Sequence, residues 1–307
     1  MKKKIEMQIA DPSGNITIFV RTPIERKDYQ KVADQLLAEE DYGAEQVAFI
    51  LPLSVSPDPS AGKTLEAGSV QGARHVDGAM EMCGLEFCGN ASRAFGLILA
   101  QEAGEIGNVE RTVQVSGCEE PLTVQLNMEK NRAKIRMPNP LSCAAEGDRT
   151  VVDFGGILHI IVEAPKAESR GNAKETRQPK GSSEEERQAE LEEMERIFDR
   201  IRGQVYRTMD PPALGVMFWD STENRLTPVV YVKNVETTYF EGSCGSGTTA
   251  CAAAFSMGKP DGVYSWSIPQ PAGVIDVTAE VKDGRARAIY IDGEVKTGEI
   301  FTVEVEL

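Results

Sequence analysis

Apolar and polar residues alternate across Ile5–Ile9, and Ile16–Val20 is β-branched and apolar, so both stretches read as strands. Asp11-Pro12-Ser13-Gly14-Asn15 between them is a turn. Tyr29–Ala38 carries helical spacing with one polar face, and Gln46–Leu51 reads as a buried strand. Ser54–Gly72 is loop-like, Ala91–Ala103 a helix, and Val113–Val115 opens another strand region. Strand patterns then recur at Lys134–Met137, Ile157–Val162, Val216–Trp219, Val229–Val232, Val274–Val281, Ala288–Ile291 and Phe301–Val305. Thr248–Met257 predicts a helix that stops at Gly258, with Pro260 beyond it.

One segment breaks the pattern. Ala164–Gln204 is densely charged; its first part reads as a flexible surface loop. From Ser183 onward Met194, Ile197 and Ile201 fall on one side of a helix. The simplest reading is an insertion on the outside of a second domain.

Strands outnumber helices, and a cysteine motif opens each of two small-residue helices: Phe87-Cys88-Gly89-Asn90-Ala91 and Ser243-Cys244-Gly245-Ser246-Gly247. The two thiols are 156 positions apart, about half of the 307-residue chain. The fold class expected is therefore α/β (α+β), with two similar halves, each a curved mixed sheet around one central helix.

Length allows two domains of ordinary size. The formal net charge of −15 argues against nucleic acid and against an anionic membrane surface as partners. The N-terminal lysines have no apolar run behind them, and no stretch approaches a membrane span of about 20 residues. Six cysteines without regular spacing do not form a disulfide framework, so a reducing cytoplasm is expected.

The chemistry lies in the paired motifs. Amides in the first turn of a helix lack intrahelical partners and carry partial positive charge, so they suit a carboxylate. Glycine after each cysteine allows close approach to the backbone. The same field is expected to lower the thiol pKa. Inverting an amino acid at Cα needs a base on one face and an acid on the other. Two opposed thiols, one ionised, supply both, and two helix termini stabilise the enediolate-like charge. No cofactor and no metal is required. Cys83, Cys118, Cys143 and Cys251 read as packing residues; Cys251 follows Cys244 by seven positions on the same helical face.

At these residues the chain resembles the cofactor-independent, two-cysteine amino-acid racemases and epimerases, of which diaminopimelate epimerase is the best known. Gly14-Asn15 resembles the family's early Gly-Asn. The resemblance implies two pseudo-symmetric domains: residues 1–115 with 296–307, and 116–295 carrying the insertion at about 164–204. It implies substrate contacts at Asn15, Gly89, Asn90, Gly245, Ser246 and Gly247, and pairs His159 with the first cysteine. Two departures set this chain apart from diaminopimelate epimerases. Val235 and Glu236 stand where those enzymes have Glu-Arg, and Ile157 stands where they have a substrate-binding asparagine.

Other stretches look more like the histidine racemases of opine-metallophore pathways: Pro12-Ser13-Gly14-Asn15, Glu45-Gln46-Val47, Glu86 to Ala91, Val115 to Cys118, Glu241 to Thr248, and Gln270-Pro271. This implies a racemase of a free amino acid, with histidine the leading substrate and diaminopimelate, diaminobutyrate or another basic amino acid as alternatives. Glu45 and Gln46 become candidate substrate contacts, because a carboxylate beside a buried strand needs a cationic or hydrogen-bonding partner. Glu241, three residues before Cys244, becomes a partner for the second thiol or the substrate ammonium. His75, in a polar loop, is expected at the surface. A homodimer is compatible with this reading.

Competing classes fit less well. Proline racemases carry Asp-Arg-Ser-Pro where this chain has Phe240-Glu241-Gly242-Ser243, and phenazine-type isomerases lack paired cysteines. A thiol redox or zinc module calls for a Cys-x-x-Cys pair, which the chain does not contain. A cysteine hydrolase leaves the second motif unexplained. A non-catalytic amino-acid binding protein would bind without exchanging the Cα hydrogen.

Overall fold

The computed structural model describes residues 2–52, 76–166 and 184–307. The loop expected at 54–72, His75 and the first part of the charged segment lie outside these residues, apart from positions 164–166. In chain order the elements are β1 (Lys2–Pro12), β2 (Thr17–Val20), α1 (Tyr29–Leu37), β3 (Gln46–Leu51), β4 (Gly78–Met82), α2 (Gly89–Glu102), β5 (Asn108–Val115), β6 (Leu122–Asn127), β7 (Arg132–Met137), β8 (Ser142–Glu146), β9 (Arg149–Asp153), β10 (Leu158–Glu163), α3 (Glu184–Val205), β11 (Ala213–Asp220), β12 (Arg225–Val232), β13 (Thr237–Phe240), α4 (Gly245–Ser256), β14 (Gly262–Pro269), β15 (Val274–Lys282) and β16 (Arg285–Glu306). The fold is mixed α/β, dominated by strands.

Two compact units emerge, Met1–Asn139 with Glu241–Leu307, and Pro140–Phe240. They part the chain at different points from the halves expected at 1–115 with 296–307 and 116–295, and they place both cysteine-headed helices in the first unit.

In that first unit a ten-stranded sheet runs β1-β2-β3-β4-β5-β6-β7-β16-β15-β14. Strand β16 is long enough to pair with three strands: Arg285–Asp292 with β15, Ile289–Glu294 with β7, and Val295–Glu306 with β1. The pairing with β1 closes eight strands, β1 to β7 and β16, into a ring. Helix α2 packs against β1, β5, β6, β7 and β16, and eleven of its fourteen residues are buried. Its small residues explain how it fits. A Cβ at Gly96 would lie 2.8 Å from the Val124 side chain, so a larger residue would push the helix off the strand. Helix α4 packs against β14, β15 and β16.

The second unit is a six-stranded sheet, β13-β12-β11-β10-β9-β8. Helix α3 covers one face, burying Met194, Phe198, Ile201 and Val205 against Leu158, Ile160, Leu214, Val216, Phe218 and Val229. The helical part of the charged segment is thus a packing element of this unit's core. No described helix is long and apolar enough to cross a membrane.

Candidate active site

Two cysteines cap two helices in the same way. Cys88 precedes α2 with φ −125° and ψ 111°, and Cys244 precedes α4 with φ −124° and ψ 111°. Each thiol accepts the amide three residues on: Ala91 N–H to Cys88 Sγ at 3.4 Å, Gly247 N–H to Cys244 Sγ at 3.3 Å. Each capping carbonyl accepts a hydroxyl four residues on, from Ser92 and from Thr248, both at 2.7 Å. The first intrahelical bonds begin at the Ser92 and Thr248 amides, so the amides of residues 89–90 and 245–246 lie ahead of both ladders. The echo in the sequence is an echo in geometry.

The motifs are adjacent. A Cβ at Gly89 would lie 3.2 Å from Ile291 Cδ1, and one at Gly245 would lie 3.1 Å from the same atom. The Cβ at Gly245 would also sit 3.3 Å from Asn90 Oδ1. The buried Ile291 of β16 therefore nests against both helix starts. The room that the missing side chains leave is taken by Ile291 and, at Gly89, by Met137.

Around Cys88 the structure gathers Asn15, Glu45, Gln46 and Asn90. Gln46 Nε2 donates to Asn15 Oδ1 at 2.7 Å, Thr17 Oγ1 at 2.9 Å and Cys88 Sγ at 3.3 Å. Asn90 Nδ2 donates to Asn15 Oδ1 at 3.2 Å, and the Cys88 thiol points to that oxygen at 4.0 Å. Asn15 Nδ2 in turn donates to Glu45 Oε2 at 2.6 Å. Glu45 Oε1 accepts the Gly242 amide at 2.8 Å, which ties this group to the loop before Cys244. Gly14, at φ +92°, lets the turn approach Ala272.

Around Cys244 the backbone N–H donates to Gln270 Oε1 at 2.8 Å, and Gln270 Nε2 donates to Thr248 Oγ1 at 2.9 Å. Ser246 Oγ lies 3.4 Å from the thiol. The Glu241 carboxyl takes a hydrogen bond from Cys244, while its Oε2 is buried with no hydrogen-bond partner among the described residues.

Burial dominates the electrostatics. It pushes the Cys88 thiol up to about 11, against the pull of the Ala91 amide and Gln46, and the charges of Glu86 and Glu241 push the same way. Cys244 is raised well above the usual thiol range by burial and then by Glu241. The lowered thiol pKa expected from the helix termini is therefore overturned: desolvation of a thiolate outweighs the dipole. Burial raises Glu241 to about 7, with the Glu45 charge adding to it, and burial also raises Glu45.

His159 belongs to the second unit. It sits on β10, fully buried, edge-on to Phe154 at 5.9 Å between ring centres, and burial lowers its pKa to about 3, so the imidazole is neutral. Two residues of the site lie outside the roles that the motifs predict: Arg93, a charge inside a helix of small residues, and Gln270, which bonds the Cys244 amide.

A family model described as the histidine racemase CntK N-terminal domain matches residues 4–191 and 184–301. A histidine racemase from Fusobacterium nucleatum subsp. nucleatum is 30% identical over 296 residues, covering 93% of this chain and 91% of that one. A histidine racemase from Staphylococcus aureus is 25% identical over 305 residues, 96% of both chains. Among solved structures, a hydroxyproline epimerase from Agrobacterium vitis aligns with TM-score 0.56 at 13% identity, covering 98% of this chain and 92% of that one. A methylitaconate-delta-isomerase aligns with TM-score 0.53 at 14% identity, covering 99% and 96%. At such identities the likeness concerns the fold, which is that of racemases, epimerases and related isomerases.

Proposed function

The chain belongs to the histidine racemase family and is an amino-acid racemase, an isomerase; from that premise we propose that it inverts free histidine at Cα, without cofactor, using Cys88 and Cys244 as opposed base and acid. The observation that carries this reading is the pair of cysteine caps with matching backbone angles, joined through Ile291 and Asn90. We further read the fold as diaminopimelate epimerase-like, and the compartment as the cytoplasm, where thiols stay reduced.

The substrate carboxylate lies against the amides at the starts of α2 and α4, where enediolate charge is stabilised as it develops. Both thiols are neutral at rest because burial disfavours the thiolate. Glu241 resolves this. Its carboxylate takes the proton from Cys244, leaving a thiolate and a neutral carboxylic acid. That thiolate removes the Cα proton, and Cys88 delivers its own proton to the opposite face. Cys88 is left ionised and Cys244 protonated, ready for the other enantiomer. Glu45, held by Asn15 and Gly242, accepts an imidazole N–H of the substrate, with Gln46 beside it.

The test is a panel of L-amino acids in deuterated water with the Cα proton followed by NMR. Histidine is expected to exchange. If another basic amino acid exchanges and histidine does not, the substrate is reassigned; if none exchanges, the racemase mechanism fails.

The role of Glu241 has its own signature. As a group whose pKa is raised to about 7, it becomes a competent base only as pH climbs through that value, so kcat/KM is expected to rise between about pH 6 and 8. Glu241→Gln should flatten that limb and lower the plateau by about 100-fold. Stability should move the opposite way: the folded chain holds the Glu241 proton more tightly than the unfolded chain, so wild type loses stability relative to the glutamine variant as pH rises from about 4.5 to 7. A wild-type pH limb that persists in the variant would remove Glu241 from the relay.

A further inference from the structure

Arg93 has no counterpart in the reaction as described, yet it is fully buried in α2. Burying a guanidinium is costly, and burial lowers its pKa to about 10. No carboxylate hydrogen-bonds to it among the described contacts. Its donors go instead to the Gly293 carbonyl at 3.0 Å, the Pro12 carbonyl at 2.9 Å, Ser13 Oγ at 2.8 Å and Asn90 Oδ1 at 3.3 Å. Two of these partners lie in the turn that delivers Asn15, one on β16, and one is Asn90 of the first cysteine motif, whose Oδ1 lies beside Gly245 of the second.

An arginine can only donate hydrogen bonds, and an ionised carboxylate can only accept them. This gives the amide chain beside Cys88 a single polarity. Because Arg93 Nε faces Asn90 Oδ1, the Asn90 amide nitrogen must face Asn15 Oδ1. The Asn15 oxygen then faces Asn90, Gln46 and the Cys88 thiol, and its nitrogen faces Glu45, the acceptor at the far end. Were Asn90 to flip, its oxygen would oppose the Asn15 oxygen. A compensating flip of Asn15 would set oxygen against the Glu45 carboxylate. Gly293 makes the arrangement possible, since a Cβ there would lie 2.4 Å from Ser13 Oγ and 3.1 Å from Arg93 Nη1.

We infer that Arg93 is a positioning residue: it fixes the turn carrying Asn15 and the orientation of the Asn90 and Asn15 amides, and through them presents an acceptor to the Cys88 thiol. The inference rests on reading Cys88 as an acid–base thiol. It singles out Cys88, since Gln270, Ser246 and Glu241 surround Cys244 without Arg93.

The experiment is site-resolved modification. The full chain, wild type and Arg93→Lys, is treated with methyl methanethiosulfonate across a pH series, and labelling at each cysteine is read by mass spectrometry, alongside kcat and KM for histidine. Lysine keeps the charge and loses the fork. The expected result is a change of at least about 5-fold in Cys88 labelling with Cys244 within 2-fold, and a fall of about 10-fold or more in kcat with a smaller change in KM. Equal changes at both thiols, or none, with kcat preserved, would overturn it. Should Arg93→Lys fail to fold, Ser13→Ala removes a single Arg93 contact, together with the bond from the Ser13 hydroxyl to the Glu294 carbonyl. It is expected to lower kcat about 3-fold and to alter Cys88 labelling selectively, and a uniform or absent effect there overturns the inference equally. If wild type does not racemise histidine, the functional reading fails while the labelling comparison still decides the role of Arg93.

Discussion

Replacing Cys244 or Cys88 with serine is expected to abolish racemisation while leaving the fold as stable as before, or slightly more so. The two effects separate because the proposed mechanism gives each cysteine two jobs. As a cap, its sulfur accepts the amide of Gly247 or Ala91, and serine is among the preferred residues for that role. As an acid–base group it must exchange a proton with Cα, and an alcohol is far too weak an acid for it. General acid–base catalysis contributes about 10²–10⁴-fold, so each variant should lose at least about 10³-fold in kcat/KM, ~4 kcal/mol of transition-state stabilisation. The double variant should be no worse than either single one, because the two thiols act as a unit. Chiral chromatography of D- and L-histidine with a thermal melt in parallel checks both halves. Activity within tenfold of wild type in either single variant would remove the two-base mechanism.

The second large effect is expected at Gly14. Its backbone sits at φ +92°, a region that costs a residue with a Cβ. A Cβ there would also lie 2.5 Å from the Ala272 carbonyl carbon, backbone that cannot swing aside. Gly14→Ala must push apart the 13–15 turn and the 272–273 loop. Asn15 is the next residue, and it holds Glu45 while taking hydrogen bonds from Gln46 and Asn90. The variant should therefore lose about 2 kcal/mol or more of stability. It should also lose about 100-fold in kcat/KM, since small misplacements of positioning groups carry penalties of that size. Gly104→Ala makes a control: its φ of +68° is also positive, but nothing lies within 4 Å of its Cβ. It should cost stability of about 1 kcal/mol and leave activity intact. Equal activity in Gly14→Ala and the control would show that the loop contact does not matter.

Much of the fold was written in local pattern. Period-two alternation located β1, helical spacing located α1, and an apolar run located β3. The sequence pattern predicts the second helix from Ala91, and the structure starts it at Gly89, directly after the cysteine. Strand β4, Gly-Ala-Met-Glu-Met, carries no alternating pattern, because all five residues are buried. Its glutamate is ion-paired with Arg26 and accepts a hydrogen bond from Tyr29 Oη at 3.0 Å, partners that lie more than 50 residues away. The stretches Ala288–Ile291 and Phe301–Val305 read as separate strands, with glycines between them. They are one strand, because its two halves pair with different neighbours and close the ring.

What the sequence determined by itself was the pair of motifs: two thiols, each followed by glycine, each heading a helix of small residues. Those features are local, since a capping position and a small-residue stripe depend only on neighbours along the chain. What the tertiary structure decided was everything that depends on distance and solvent. It set Ile291 against both glycines and threaded Arg93 between the Asn15 turn and β16. It also raised both thiols where the helix termini alone would have lowered them. Burial is a property of the closed ring and its neighbouring loops, and no stretch of sequence carries it.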